Sequence, residues 1–539
     1  MRGKHSLDFG FELIRLQYNM FQSGAEHGSE SYGTRYTGLA WSDLLFGAPT
    51  GGSFAFPAGV GLRQSDLSFY VQDNYKVNNR LTLNLGVRYE NFLGWPWTEV
   101  NSKEWAFVPS ISTTALEHVG TNGIPKSGLS GNNLNFAPRV GVAYKVTNKA
   151  VIHAGYGIYY AAPNVGVSST LAANVPVYDY WAFNNPAKYV AGATSSAVFN
   201  YASNGFVHTV ATSGSAILPG QAAYAVDPHA KTSYTEQWHL AFEQEIPFST
   251  VLKFAYVGTK GVHLTNIRDI NSNQWGANGA TTVTVARPYP TFGQINELET
   301  RQVSSYNALQ VTAERRAHGL GFLASYTYSH ALDEGSGENA GVSNPYNLRY
   351  DYGNSDYNVP NRFVASANYQ LPFKGRGVLG PLERGWQFNA IAQFYDGTPF
   401  SVGTTDSFGD GQSTRAILLP GYGSGSLPKG KRTLAKWFNT DAFAVPAVTS
   451  FTYGNSGRNS LQGPGTKYVD FSLFKDTHLS ESKVLQLRAE AFNLANTPQF
   501  NNPAATAGTT TIGSISSAGS DLTFQRTARQ IQFAAKITF

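Results

Sequence analysis

The sequence predicts an all-β chain: a transmembrane antiparallel up-and-down β-barrel with long extracellular loops and short periplasmic turns. Three observations carry that expectation. About fourteen segments of roughly ten residues alternate apolar with polar side chains, the period of a strand with two unlike faces. The connections between them alternate short and long, with no two long ones in succession. The last strand ends on Phe539, an aromatic where the terminus of a soluble domain would fray into water.

The first segment, His5–Tyr18, places Leu7, Phe9, Phe11 and Leu13 on one face. A Gly/Ser/Thr-rich stretch follows from about 22 to 64. Leu67, Phe69, Val71 and Tyr75 then alternate with Ser68, Gln72 and Asn74, and Asn78-Asn79 predicts a tight hairpin turn. The partner strand sets Leu81, Leu83, Leu85, Val87 and Tyr89 against Thr82, Asn84, Arg88 and Glu90. The same pattern recurs through Thr147–Lys149, Pro247–Ser249, Ala317–Leu320, a longer Pro/Gly link before Trp386, and Leu479–Ser482. Long Gly-, Asn-, Ser-, Pro- and Tyr-rich stretches separate these hairpins, at about 93–134, 161–232, 261–303, 334–360, 397–467 and 497–528. One rising strand, six hairpins and one descending strand give an even number, about 14–16 in all. Both ends of the chain then lie on the side of the short turns. The whole span 1–539 reads as one barrel domain.

The physics of a bilayer agrees. Hydrocarbon satisfies no backbone N–H or C=O, so a spanning sheet must supply the partners itself. Ten tilted residues at about 3.3 Å each cover roughly 25 Å of apolar height. A soluble β-sandwich would also alternate its faces, but would not alternate its connection lengths.

Composition narrows the classes further. Aromatic residues make up 14% of the chain, led by Phe and Tyr, while charged residues also reach only 14%, well below the usual quarter. No run of apolar residues is long enough for a spanning helix. Without a single Cys, neither disulfides nor thiolate metal sites can form. A net charge of +5 with one tight basic cluster, Lys429-Gly-Lys-Arg432, argues against nucleic acid as a partner. The N-terminus lacks the apolar core and cleavage site of a secretory signal, so an exported protein is expected to begin upstream of Met1.

Several stretches resemble one family. They are Tyr234–Leu240, Ala255–Gly261, Tyr306–Gln310, Ala324–His330, Asp351–Asp356 before Asn361-Arg-Phe363, Gly457–Gly465 and Arg488–Asn493. In this order, and with the terminal Phe, the chain is similar to the TonB-dependent receptors of the Gram-negative outer membrane, in particular their Oar-like barrels. The resemblance implies a barrel of about 22 strands, an N-terminal plug contacted by the TonB complex, and in Oar-like members a small carboxypeptidase-regulatory-like domain. Signal peptide, plug and regulatory-like domain are not recognisable in 1–539, which reads as the C-terminal part of such a receptor.

Four groups of candidate residues follow. Ile531, Phe533, Ile537 and Phe539 resemble the C-terminal signal read by the barrel-assembly machinery, and equally suit a face turned to outer-membrane lipid. Arg88, Glu90, Gln237, His239, Glu243, Glu245, Arg488 and Glu490 share the polar face, either as a solvated wall or as a charge network toward a plug. Trp95, Trp97, Tyr178, Tyr180, Trp181, Trp275 and Trp437 lie in loops, where aromatics among Asn and Gly suit an extracellular ligand or an interfacial girdle. The acidic stretches 351–356 and 406–411 lack EF-hand spacing and read as turns rather than Ca²⁺ loops. No nucleophile, acid–base pair, metal-ligand spacing or cofactor motif converges, so the expected roles are non-enzymatic. The leading one is TonB-dependent uptake of a bulky nutrient such as a siderophore or oligosaccharide. A plug-less passive porin and a surface adhesion protein are the alternatives.

Overall fold

The computed structural model describes residues 3–21, 27–56, 59–128, 132–162, 169–185, 220–272, 287–317, 319–338, 340–375, 380–404, 414–447, 453–519 and 528–539. Its main sheet is built from β1 (His5–Phe21), β2 (Gly59–Lys76), β3 (Leu81–Glu99), β4 (Phe136–Thr147), β5 (Ala150–Tyr160), β6 (Tyr234–Ile246) and β7 (Thr250–Asp269). It continues with β8 (Phe292–Ala317), β9 (Leu320–Asp333), β10 (Asn361–Gln370), β11 (Trp386–Tyr395), β12 (Thr466–His478), β13 (Val484–Phe492) and β14 (Gln530–Thr538). Each pairs antiparallel with the next in the chain, the up-and-down order expected from the connections. Among the described residues no pairing joins β1 to β14, so the sheet keeps two edges and the ring is not closed. No helix among the described residues is long and apolar enough to cross a membrane.

The short turns form for local reasons. Asn78 accepts the backbone N–H of Arg80 and of Leu81 on its side-chain oxygen, at 2.8 and 2.9 Å, the Asx geometry that reverses a chain within a few residues. Between β6 and β7, Phe248 and Ser249 both take positive φ, as a hairpin turn matched to strand twist requires. Residue-by-residue pairing then fixes the faces. Phe9 lies opposite Val71, which lies opposite Val87, so apolar positions of neighbouring strands share one side.

That side is solvated rather than packed. Phe9 and Phe533 leave 80% and 79% of their surfaces exposed, and Leu13, Val140, Leu240, Phe254 and Leu309 are exposed too. Water would penalise such a surface; lipid does not.

One expectation fails. The ten-residue segments were to be joined by structureless loops, but on the long-loop side several strands run on. β3 has 19 residues, β7 has 20 and β8 has 26, and the expected loop at 261–303 is strand at both ends, over 261–269 and 292–303. Outside hydrocarbon a strand has no reason to alternate. Phe292, Ile295 and Leu298 recur every third residue, and all three are buried under folded loop.

The loops form a crown with cores of its own. Gln221–Val226 runs parallel to the start of β8, and Phe107, Leu116, Val175, Ala223, Phe292 and Ile295 close a core there. A second core gathers Phe400, Val402, Phe438, Phe443 and Leu461 from the loop between β11 and β12. A small sheet of Ser29–Ser31, Gly51–Phe56 and Asp179–Asn184 lies within the crown.

Candidate ligand-binding mouth

The mouth lies where the crown meets the long-loop ends of the strands, and an arginine organises it. Arg458 donates to Asp333 Oδ1 at 2.5 Å, to Ser336 Oγ at 2.7 Å and to Asp356 Oδ1 at 3.2 Å. The next residue, Asn459, donates to the Asn354 carbonyl and to Asp356, and its own carbonyl accepts from Asn354. Gly353 is required at this crossing because a Cβ there would lie 2.6 Å from the Arg458 carbonyl oxygen. Two of the stretches that carried the family resemblance, 351–356 and 457–465, are thus the two halves of one clamp. Beside it Arg415 donates to Asp351 at 2.7 Å and stacks 3.6 Å above the Tyr350 ring. Both acids of the 351–356 stretch are answered by guanidinium groups. The acidic stretch 406–411 lies outside the described residues. A cavity of about 320 Å³ opens next to the clamp, lined by Ser233, Gln302, Ser304, Asp333 and Ser336.

A second polar centre sits where β7 and β8 extend into the crown. Arg268 donates to Glu299 at 2.5 and 2.8 Å and lies 3.3 Å from Glu297. Arg301 reaches Asp227 at 3.2 Å. Burial first, then a hydrogen bond to Glu299 and the nearby Glu299 charge, push the Glu297 carboxyl up to about 8. Glu104 is likewise pushed up to about 8, by burial and then by the charge of Glu99. Glu297 and Glu299 stand two apart on one strand face, a spacing visible in the sequence. Their partner Arg268, and Asp227 that answers Arg301, come from other segments, and nothing in the order of residues announces them.

The expected polar-face residues do not form one network. Arg88 bridges Glu90 at 2.9 Å and Glu12 at 2.8 Å, a residue that sequence reading passed over. Glu243 pairs with Lys253 at 2.9 Å and Glu245 with Lys149 at 3.8 Å. Arg488 donates to Gln486 and lies over the Phe474 ring. Glu490 has no ion pair among the described residues. His239 lies across Gly155, where a Cβ would come within 2.6 Å of its ring. The arrangement is a polar wall stitched together pair by pair.

The loop aromatics divide as well. Trp97 is packed against Val60, Leu62 and Val177 with 7% of its surface exposed, so it is a core residue of the crown and corrects the ligand-contact reading. Tyr178 and Tyr180 stack at 6.2 Å, with Tyr180 exposed. Trp437 donates its indole N–H to the Gln462 carbonyl, beside the outward aromatics Phe363 and Phe394. The side chains of Trp95 and Trp181, and all of Trp275, lie outside the described residues. Ile531, Phe533 and Ile537 project from the edge strand β14, and Phe539 follows its last residue, Thr538.

An antiparallel sheet with a lipid-solvated apolar face, a polar opposite face and folded loops at one end is a transmembrane β-barrel of an outer membrane. The chain belongs to a family described as "outer membrane beta barrel domain", whose model matches residues 1–532. No curated protein matches its sequence. Among solved structures it is similar to the outer membrane transporter YddB from Escherichia coli, at 11% identity and a TM-score of 0.52, over 100% of this chain and 52% of that one. It also resembles the FrpB iron transporter from Neisseria meningitidis, at 10% identity and a TM-score of 0.46, over 99% and 52%. A third is the siderophore receptor PiuA from Acinetobacter baumannii, at 10% identity and a TM-score of 0.41, over 91% and 44%. The chain spans about half the length of these proteins or less. Fold and localisation in the outer membrane agree with the resemblance read from the sequence.

Proposed function

We propose that this barrel is the membrane part of an uptake receptor that binds a bulky, polar nutrient, a siderophore or an oligosaccharide, at its extracellular mouth. The clamp at Arg458 carries the reading. It ties together loop segments about a hundred residues apart and borders a cavity at the strand ends in which Ser233, Gln302, Ser304, Asp333 and Ser336 supply polar groups, which gives a ligand a pre-organised surface. The stacked Tyr178 and Tyr180 supply an aromatic face of the kind that sugar rings and catechol groups contact. Energy would come from the TonB complex acting through a plug that is not among these residues. The two unpaired strand edges and the half-length match to YddB support a larger barrel, of which these fourteen strands are one contiguous part.

The test is uptake by cells carrying the full receptor. Labelled siderophores and oligosaccharides should enter saturably, with one class preferred, and entry should cease when TonB is removed. Entry that rises linearly with concentration, sorts solutes only by size and ignores TonB would leave the porin reading instead. For the larger barrel, paired cysteines introduced along β1 and β14 should not join within this chain, which has no native Cys to interfere. High-yield intrachain disulfides would show that fourteen strands close by themselves.

A further inference from the structure

We infer that the outer wall carries a docking site for the phosphorylated headgroup of an outer-leaflet lipid, built where the basic cluster of the β11–β12 loop overhangs the lipid-facing aromatics. The sheet register sets the floor. Tyr326, Phe363, Phe394 and Lys467 stand side by side on β9, β10, β11 and β12, all on the apolar face. Phe363 and Phe394 stack at 6.3 Å. Phe363, Phe394 and Lys467 sit near the long-loop ends of their strands and Tyr326 is paired beside Phe363, the level at which lipid chains give way to headgroups and aromatics are favoured.

Above this floor the loop folds back over the outside of the wall. It brings Lys429, Arg432 and Trp437 to a cavity of about 530 Å³ shared with Phe363, Phe394 and Lys467. Arg432 is held in place by donating to the Leu427 carbonyl at 2.8 Å and to Ser426 at 3.1 Å, with its guanidinium 5.5 Å over the Trp437 ring. Lys429 and Lys467 are exposed and have no carboxylate partner among the described residues. Neither has Lys431, which completes the tight basic cluster. The one acid lining the cavity, Asp396, accepts from Asn361 at 2.6 Å, and Asn361 in turn accepts from Tyr326. The site is therefore apolar below and cationic above, across a single strand end. Acyl chains against Phe363 and Phe394, with phosphate oxygens against Lys429, Arg432 and Lys467, satisfy both halves at once. A soluble anion would meet only the cations. This site lies on the opposite side of the wall from the mouth and does not depend on the uptake reading.

Native mass spectrometry of the full receptor, purified in detergent, tests this with three probes: phosphorylated lipid A, the same lipid dephosphorylated, and inorganic pyrophosphate. The phosphorylated lipid should be retained about tenfold more tightly than the dephosphorylated one, and pyrophosphate should not displace it. In K429Q/R432Q/K467Q that preference should vanish, while K126Q, which removes an exposed lysine elsewhere in the crown, should keep it. Heat-modifiable mobility confirms that each variant is folded. Should the triple variant fail to fold, K467Q alone should still weaken the preference, and the comparison of lipids on the unaltered chain stands without any variant. Equal retention of the two lipids overturns the proposal, as does an unchanged preference in the folded variant. Displacement by pyrophosphate would mark a site for free phosphate and overturn it too.

Discussion

The wall and the crown use the same residue types in opposite ways. In the wall, Phe9, Leu240 and Phe533 face outward and are among the most exposed side chains. In the crown, Phe107, Phe292 and Phe438 are at most 2% exposed and close conventional cores. Charges follow the same division: ion pairs of the wall such as Glu243–Lys253 are half-exposed, whereas Glu299 beneath Arg268 is wholly buried. The wall is ordered by its hydrogen-bond ladder and takes lipid as solvent. The crown must exclude water to stay folded. The difference teaches that one chain here contains two folding problems, joined at the strand ends.

If that division is real, damage to either part should stay local. The largest effect is expected from Arg458→Ala. It strands Asp333 as a buried carboxylate without its cation, and breaking such a pair costs about 3–5 kcal/mol. Limited proteolysis should then cut the 396–465 and 334–360 segments while heat-modifiable mobility of the barrel persists. Global unfolding would erase the division. The converse variant, Leu240→Arg, puts a cation on the lipid face near the middle of β6 and should cost roughly 2–4 kcal/mol of wall stability. Urea unfolding in lipid vesicles should show the loss. An equally stable wall would mean that Leu240 does not face hydrocarbon.

What was legible in the sequence divides along the same line. Membrane strands declare themselves because a face in lipid and a face in water force period 2, as in Leu81, Leu83, Leu85 and Val87. The turns at 78–79 and 147–149 were legible because Asn and Thr side chains bond their own backbone. The crown was not. Trp97 looked like a loop aromatic free for a ligand because its partners, Val60 and Val177, come from distant segments. Strand ends such as 292–303 carry no alternation, since water and folded loops replace lipid around them. Of the site, Arg458 lay within a recognisable stretch. Its meeting with Asp333 and Asp356 depends on the path of a long loop, and that path is a property of packing.

The mildest test uses pH. Glu297 and Glu104 belong to the crown, and both carboxyls sit at about 8 in the folded chain against an ordinary value of 4.5. A raised acid means that the folded crown holds protons which the unfolded segment has already released. Its contribution is complete below about 4.5, falls as pH rises toward 8, and changes little above that, where both states are ionised. The crown should therefore loosen between about pH 5 and pH 8, whereas the backbone ladder of the wall has no proton to lose. Hydrogen exchange of residues 292–300 and 104–119, compared with that of β6, should show this as protection lost on one side only. Replacing both acids, E104Q/E297Q, should change crown stability by less than about 1 kcal/mol near pH 4, where both states are protonated and a neutral amide occupies nearly the same volume, and should raise it at pH 7, where Gln is spared the cost of holding a proton that the unfolded segment has released. The pH dependence itself should largely disappear in that variant. If the crown of E104Q/E297Q still loosens with rising pH, other groups couple it to protons. If the wall loosens in step with the crown, the two parts are one cooperative unit.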